Sequence, residues 1–222
     1  MNRSRLLRAA LLATLFLASR VLAQQGNVGS TVHNLSVSGP GEIKSVSETE
    51  ICKFCHIPHN AIVPRPLWGH ALSNVSEYEV PELRLKGGRR PAPQPDGSSR
   101  LCLSCHDGTV AVADIGKRGG PPEGARLTPD RRGFVGTDLS GTHPISFVVP
   151  DGDDPSHEGD MGLRSLAAIR ADGEVKLDRN GKLQCTTCHD PHSDQYYEAG
   201  RVPHFSVKPS TTEICLVCHE PR

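Results

Sequence analysis

The chain is short of the large apolar side chains from which a protein of this length normally builds its core. Of its 222 residues only 4% are aromatic and 36% are hydrophobic, while 22 are Gly and 18 are Pro. Gly and Pro at this frequency interrupt helices and strands repeatedly. Such a composition favours either disorder or a fold with another source of buried surface, and the eight cysteines argue for the second.

A long hydrophobic run is also missing. Ala9–Ala18 is apolar over about ten residues, against the roughly 20 that a membrane span needs, and Arg20 follows soon after it. Arginines precede the run and the small residues Val21 and Ala23 follow it, a pattern typical of a cleaved export signal. We therefore expect residues 1–23 to be a signal peptide and the mature chain to be a soluble protein of the periplasm, the cell surface or the medium.

The sequence has no excess of positive charge, which argues against nucleic acid as a partner. Lys and Arg number 25, as do Asp and Glu, and the expected loss of residues 1–23 removes four arginines and no acid. The mature chain would then carry 21 basic and 25 acidic residues, a net charge of about −4. Binding to nucleic acid needs a basic surface instead.

What the sequence does contain is four copies of one cysteine motif. The eight cysteines form four C-x-x-C pairs, each followed directly by His: CKFCH at 52–56, CLSCH at 102–106, CTTCH at 185–189 and CLVCH at 215–219. Export permits disulfides, but a disulfide framework has no reason to place His after every second Cys. Zinc sites also use C-x-x-C, but they take their histidines from a separate segment. C-x-x-C-H is the attachment motif of c-type haem.

The chemistry of haem attachment explains the spacing. Two thiols add across the two vinyl groups of a haem, and the adjacent histidine binds the iron as its proximal ligand. We therefore predict four covalently attached c-type haems, which would also supply the buried apolar surface that the side chains lack, so folding should depend on haem. The attachment residues are Cys52 and Cys55, Cys102 and Cys105, Cys185 and Cys188, and Cys215 and Cys218, and the proximal ligands are His56, His106, His189 and His219.

Seven further histidines could supply the second ligand of each iron: His33, His59, His70, His143, His157, His192 and His204. Met161 is the only methionine besides Met1 and lies in a polar loop, so we expect histidine on both sides of each iron. The first and third motifs continue as C-x-x-C-H-x-P-H and end in His59 and His192. A histidine three residues after the proximal ligand lies about one helical turn away and cannot easily reach the opposite face of the same haem.

We therefore predict that His59 and His192 each bind the iron of a neighbouring haem. The simplest assignment gives His59 to the haem of the second motif and His192 to that of the fourth. His33 and His143 would fill the remaining two irons, with His70 in reserve, while His157 and His204 are expected to be solvated.

The chain divides into two halves with the same order of motifs, about 24–116 and 134–222, within one tetrahaem domain at 24–222. The predicted fold is that of a multihaem cytochrome c, loop-rich, with short helices at each motif and few short strands, wrapped around a haem chain. The Pro- and Gly-rich segments 87–100 and 117–133 are predicted to be extended surface loops.

Two smaller features lie in the second half. Asn180-Gly181 predicts a hairpin turn within 174–185. The acidic stretch 151–154 lacks the spacing of a calcium-binding EF-hand, so we expect a solvated loop there.

Several longer stretches resemble one family: HNLSVSGPG, CKFCHIPHNA, PLW, LCLSCHDGTVAV, GTDLSGTHPISF, QCTTCHDPHS and ICLVCHE. In this order they are similar to the small tetrahaem cytochromes of bacterial outer surfaces that polymerise into filaments, the OmcE-like family. The resemblance implies four bis-histidine haems in alternating stacked and perpendicular contacts. It also implies that one iron takes its distal histidine from the neighbouring subunit, and His33 is the residue we match to that role. The long loops at 87–100 and 117–133 and the additional His204 depart from the family.

Three functions remain open at this stage. The first is a non-enzymatic electron conduit, assembled from copies of this chain and exchanging electrons with redox partner proteins or extracellular acceptors. The second is a monomeric periplasmic electron carrier with the same haems. The third is a multihaem reductase, which would need an iron with an open coordination position.

Overall fold

The computed structural model describes residues 27–64, 66–85, 88–112, 125–154 and 162–221. The predicted signal peptide, His157 and Met161 lie outside these ranges, as does the first part of the predicted loop at 117–133. None of the helices in the described ranges has both the length and the apolar character that a membrane span requires.

Regular structure in the described ranges consists of short elements joined by irregular segments, which confirms the loop-rich prediction. The segments Val28–Ser30 and Ile51–Phe54 are 3₁₀ helices. The strands are β1, Glu82–Leu85, and β2, Gly88–Pro91. The α-helices are α1, Gly97–His106, α2, Leu166–Ala171, α3, Cys185–Cys188, and α4, Thr211–Cys218.

Each C-x-x-C pair lies on or beside a helical turn, as predicted. The first pair begins in the 3₁₀ helix Ile51–Phe54, and the other three pairs lie on α1, α3 and α4. Residues three apart on a helix share one face, so the turn directs both sulfur atoms of a pair to the same side. Ser210 caps α4 by accepting a hydrogen bond from the Glu213 N–H at 3.2 Å.

The segment predicted to be a loop at 87–100 is more regular than expected. β1 and β2 pair antiparallel, with Glu82 opposite Pro91, and α1 begins at Gly97. In β1, Leu83 is buried between the exposed residues Glu82 and Arg84, the alternation that a half-buried strand requires. Residues 88–91 are extended and exposed, as predicted, but they pair with β1, and the prediction was wrong for 97–100, which begin a helix.

The turn predicted at Asn180-Gly181 forms, but the chain after it pairs elsewhere. The Gly181 N–H donates to the Asp178 carbonyl at 2.9 Å, and Gly181 has a φ of +73°, which favours glycine. Beyond the turn, the Leu183 N–H donates to the Phe147 carbonyl at 3.0 Å. Pairing within 174–185 is confined to the turn, where the Asp178 N–H donates to the Lys182 carbonyl at 2.9 Å. Pairing with the segment of Phe147 buries Leu183 in the larger apolar cluster.

Two apolar clusters form the interior of the described ranges. The larger comprises Val149, Ile169, Val175, Leu183, Val207 and Cys218, and α2 packs on α4 beside it. The smaller comprises Tyr78, Leu103 and Leu139. Leu139 belongs to the second half of the sequence but packs on the first, so the two predicted halves are interlocked rather than separate bodies.

Candidate haem sites

All eight cysteines lie in the described ranges, and each is a free thiol. The cysteine side chains are therefore available for attachment, whereas the disulfide alternative is not realised in this structure. Burial first, and neighbouring thiols second, raise the pKa of Cys55 to about 11 and that of Cys105 to about 12.

The described residues also offer little support for a bare metal site. No group of three or more His, Cys, Asp or Glu side chains within those ranges is arranged so that it could hold a metal ion. Attachment of haem needs a different donor set, with two thiols for the macrocycle and one histidine on each side of its iron.

Thiols of different motifs lie close to one another. The thiol of Cys55 lies close enough to that of Cys105 to affect its pKa. The thiols of Cys102 and Cys185 are joined by a hydrogen bond, and α1 packs on α3. Cys218 in turn affects the pKa of Cys188. Groups attached at these cysteines would therefore lie close to one another.

Three of the predicted proximal histidines have a ring nitrogen directed at a backbone carbonyl group. His56 Nδ1 lies 2.7 Å from the Pro66 carbonyl and His106 Nδ1 lies 2.6 Å from the Gly133 carbonyl. The His189 ring likewise donates to the backbone of His204. A metal-bound histidine typically donates its other ring N–H to such a carbonyl, which fixes the tautomer and leaves Nε2 for the metal.

Three of these four histidines face a second imidazole. Two imidazoles bound through Nε2 to opposite sides of one metal ion have ring centres about 6 Å apart, because each metal–nitrogen bond is about 2 Å long and each nitrogen lies about 1 Å from its ring centre. The observed distances between ring centres are 6.1 Å for His56 and His192, 5.9 Å for His33 and His106, and 6.4 Å for His143 and His219. These spacings suit one iron ion within each pair.

Two of the facing imidazoles also have their Nδ1 atoms directed at backbone carbonyl groups. His143 Nδ1 lies 2.8 Å from the Pro144 carbonyl, and His33 Nδ1 lies 3.4 Å from the carbonyl of Pro191. Burial, above all, lowers the pKa of His33 to about 4. His33 is therefore neutral at pH 7, the form in which a histidine binds a metal.

The pairing differs from the one expected. His33, not His59, faces His106, and His143, not His192, faces His219. The physical reason is the packing of α1 on α3, which brings the third motif beside the first two. A histidine three residues after the third motif then reaches the first motif rather than the fourth. The principle that it serves a neighbouring haem stays a prediction, now with a different neighbour.

One proximal and one candidate distal histidine remain without a facing ring. Within the described ranges, no imidazole faces His189, and His59 is exposed. His204 does not fill the gap, because its own backbone receives the His189 N–H and so lies on the proximal side. Its ring stacks on Tyr197 at 3.6 Å, with Nδ1 2.5 Å from Asp194 Oδ2.

The reserve residue His70 is buried beside the second motif, with its Nε2 atom 3.6 Å from Cys105 Sγ, and its role as a distal ligand stays a prediction. It is 1% exposed, and its Nδ1 and Nε2 atoms lie 2.7 Å and 3.0 Å from the carbonyl groups of Ala71 and Ala111. Its neighbour Trp68 packs edge-on against His56, at 6.3 Å between ring centres. The indole N–H of Trp68 is buried without a hydrogen-bond partner, a need that a bound group with acceptor atoms, such as the haem carboxylates, would meet.

Sequence reasoning missed a polar network directly after the second motif. Asp107 is 3% exposed and accepts hydrogen bonds from Tyr78 Oη at 2.6 Å, from the Thr109 N–H at 2.8 Å and from Ser73 Oγ. Burial alone would raise the pKa of Asp107, but these hydrogen bonds outweigh it and hold the pKa below its usual value. The polar run of CHDGT was the available signal.

Comparison with known proteins agrees with the chemistry of the motifs. The family described as Doubled CXXCH motif matches residues 179–222, which contain the third and fourth motifs. A search of the curated proteins gives no significant match. The doubled motif indicates a multihaem c-type cytochrome, with haem bound covalently through the cysteines and electron transfer as its chemistry.

Proposed function

We propose that this chain is an electron-transfer protein, not an enzyme, that binds four c-type haems, each held between two histidines. When bound, the haem irons supply one-electron redox chemistry. The observation that carries the proposal is the set of three imidazole pairs at 5.9–6.4 Å. Where histidine occupies both sides of an iron, no position is left for a substrate. The protein then acts by holding each haem and by setting its potential through ligands, burial and charge.

We further propose that the chain is exported and that copies of it join into a filament. His189 is the one proximal histidine without a facing ring in the described ranges, and His59 is an exposed imidazole outside every pair. His59 follows the histidine of the first motif by three residues, just as His192 follows that of the third motif. His59 from a second copy would complete the iron at His189, and such a head-to-tail contact repeats into an open filament. His33 is less suited to this crossing role, because it faces His106 of its own chain.

The partners follow from this arrangement. Other copies of the chain would bind at the two filament ends, and redox partner proteins or extracellular electron acceptors would exchange electrons with the haems. The expected net charge of the mature chain gives no support to nucleic acid as a partner.

Removal of the His59 imidazole tests the proposal. Electron microscopy of the purified native protein should show filaments, and carbon monoxide added to the reduced protein should leave its haem spectrum unchanged. His59→Ala should abolish the filaments and make one haem in four reactive towards carbon monoxide. His204→Ala is the matched control, because it removes a half-buried imidazole from the same region as His189 and should leave both results unchanged. Filaments that persist in His59→Ala would contradict the crossing ligand.

A second candidate function rests on the same gap at His189. If the iron there has no distal histidine, it offers an open position at which a small molecule could bind, as a multihaem reductase requires. Native protein whose reduced form binds carbon monoxide at one haem in four, even when concentrated, would favour this function. Monodisperse particles that do not bind carbon monoxide would favour a monomeric carrier instead, with His59 serving its own chain.

A further inference from the structure

A buried polar seam joins the helices that carry the second and third motifs. We define the Gln184 seam as Asp96, Ser99, Ser146, Lys182 and Gln184. Ser99 and Ser146 are fully buried, and Gln184 is 1% exposed. Because α1 carries Cys102 and α3 begins at Cys185, the seam lies between two haem attachment sites.

The amide group of Gln184 is fully used in the seam. Its Oε1 accepts hydrogen bonds from Ser99 Oγ at 2.5 Å, from Ser146 Oγ at 3.3 Å and from the Ser99 N–H at 3.4 Å. Its Nε2 donates to Asp96 Oδ1 at 2.9 Å and to Asp178 Oδ2 at 3.2 Å. A side-chain amide has two donor hydrogens and two acceptor lone pairs, so each of these is satisfied in one arrangement only.

Ser99 connects the seam directly to an attachment residue. The Cys185 N–H donates to Ser99 Oγ at 3.0 Å, while the same hydroxyl donates to Gln184. Beside it, Ser98 Oγ and Thr186 Oγ1 are 2.7 Å apart. The backbone at the start of α3 is therefore held to the first turns of α1.

Close approach of the two helices also depends on a glycine. Gly97 has a φ of +50°, and a Cβ atom at this position would lie 2.9 Å from Gln184 Nε2. Ser99 and Cys102 are three residues apart on α1 and share one face. Fixing Ser99 against Gln184 therefore also fixes Cys102 relative to Cys185, because α1 packs on α3 at this point.

We propose that Gln184 and Ser99 are positioning residues that set the contact between the haem of the second motif and that of the third. The proposal rests on the proposed electron-transfer function and adds a place at which electrons cross between the two halves. Thioether bonds join the protein at the rim of the macrocycle, so attachment at Cys102 and Cys185 brings the two rims together. The polar character of the seam suits this role, because a satisfied buried network specifies one geometry, whereas an apolar contact permits several.

Gln184→Leu tests the proposal, since it keeps roughly the volume of the side chain but removes every hydrogen bond of the amide. The variant should retain four haems by intact mass and unchanged axial ligation by its visible spectrum. Its haem-region circular dichroism should lose the exciton coupling between the second and third haems. Electron equilibration between the halves should slow by about tenfold, equivalent to about 1.4 kcal/mol of barrier.

Two further variants make the result decisive. Ser99→Ala removes one hydroxyl and carries the same prediction if Gln184→Leu does not fold. Lys208→Met is the control, because Lys208 bridges Asp172 and Glu174 in the second half, away from the seam, and its loss should leave coupling and rate unchanged. If the seam variants keep the exciton coupling and the electron-equilibration rate of the native protein, the inference is overturned. Native protein without four redox-active haems would instead overturn the proposed function.

Discussion

The two halves of the chain carry the same order of motifs but have different interiors. In the second half, Ile169 and Val175 lie at the centre of an apolar cluster and are at most 1% exposed. Around the second motif the apolar cluster is smaller, and the buried carboxylate of Asp107 joins the surrounding loops by hydrogen bonds. The same attachment motif is thus held by an apolar core in one half and by a polar network in the other. We infer that the first half depends more strongly on haem for its folded structure.

The largest difference between the two halves should appear when haem attachment is prevented in each of them in turn. In a Cys102→Ala/Cys105→Ala variant, amide hydrogens around Tyr78 should exchange with a local opening free energy close to zero, because little apolar surface remains buried there. In a Cys215→Ala/Cys218→Ala variant, amides around Ile169 should keep most of their protection. Hydrogen exchange followed by mass spectrometry measures both. Equal loss of protection in the two halves would contradict the comparison.

Truncation of the apolar cluster should have the next largest effect. Ile169→Ala should lower the free energy of unfolding by about 2–5 kcal/mol, because it leaves a cavity at a fully buried position. Leu216→Ala, on the exposed side of α4, is the control and should change stability by about 0.5 kcal/mol or less. Denaturant unfolding of the haem-loaded protein measures the difference, and similar values for the two variants would show that the cluster is not a core.

The polar network around Asp107 should contribute less to the free energy of unfolding, and its contribution should depend on pH. Because the pKa of Asp107 is lowered in the folded state, its contribution is complete above the usual carboxyl pKa of about 4 and is lost as the pH falls through the lower folded value. Asp107→Asn should cost about 2 kcal/mol at pH 7 and less in acid. Unfolding curves between neutral and acid pH test this. A cost that does not change with pH would mean that the carboxylate charge is unimportant.

The ion pairs of Lys208 in the second half should make the smallest contribution to the free energy of unfolding. Lys208 Nζ lies 2.8 Å from Asp172 and 2.9 Å from Glu174, and its side chain is 16% exposed. Lys208→Met should therefore cost about 1 kcal/mol, and the loss should shrink at high salt. Arg201→Ala removes a fully solvated pair with Glu198 and should cost about 0–0.5 kcal/mol. If both variants cost the same, burial does not distinguish the two ion pairs.

The position of each C-x-x-C pair on or beside a helical turn could be predicted from sequence because the C-x-x-C-H motif is local, while haem attachment at these cysteines stays a prediction. The short helices at each motif and the irregular chain between them followed from the same pattern and from the Gly and Pro content. The pairing of imidazoles could not be predicted, since His192 reaches His56 only through the packing of α1 on α3, a contact between distant parts of the chain. The role of Gln184 was hidden for the same reason, because its partner Ser99 lies 85 positions away.

The intact mass of the purified native protein tests the central claim most directly. Our account predicts one species whose mass exceeds that of the polypeptide by four haems, with no cysteine left to react with an alkylating reagent after unfolding. Fewer than four added haems, or cysteines that remain reactive in any of the four motifs, would contradict it.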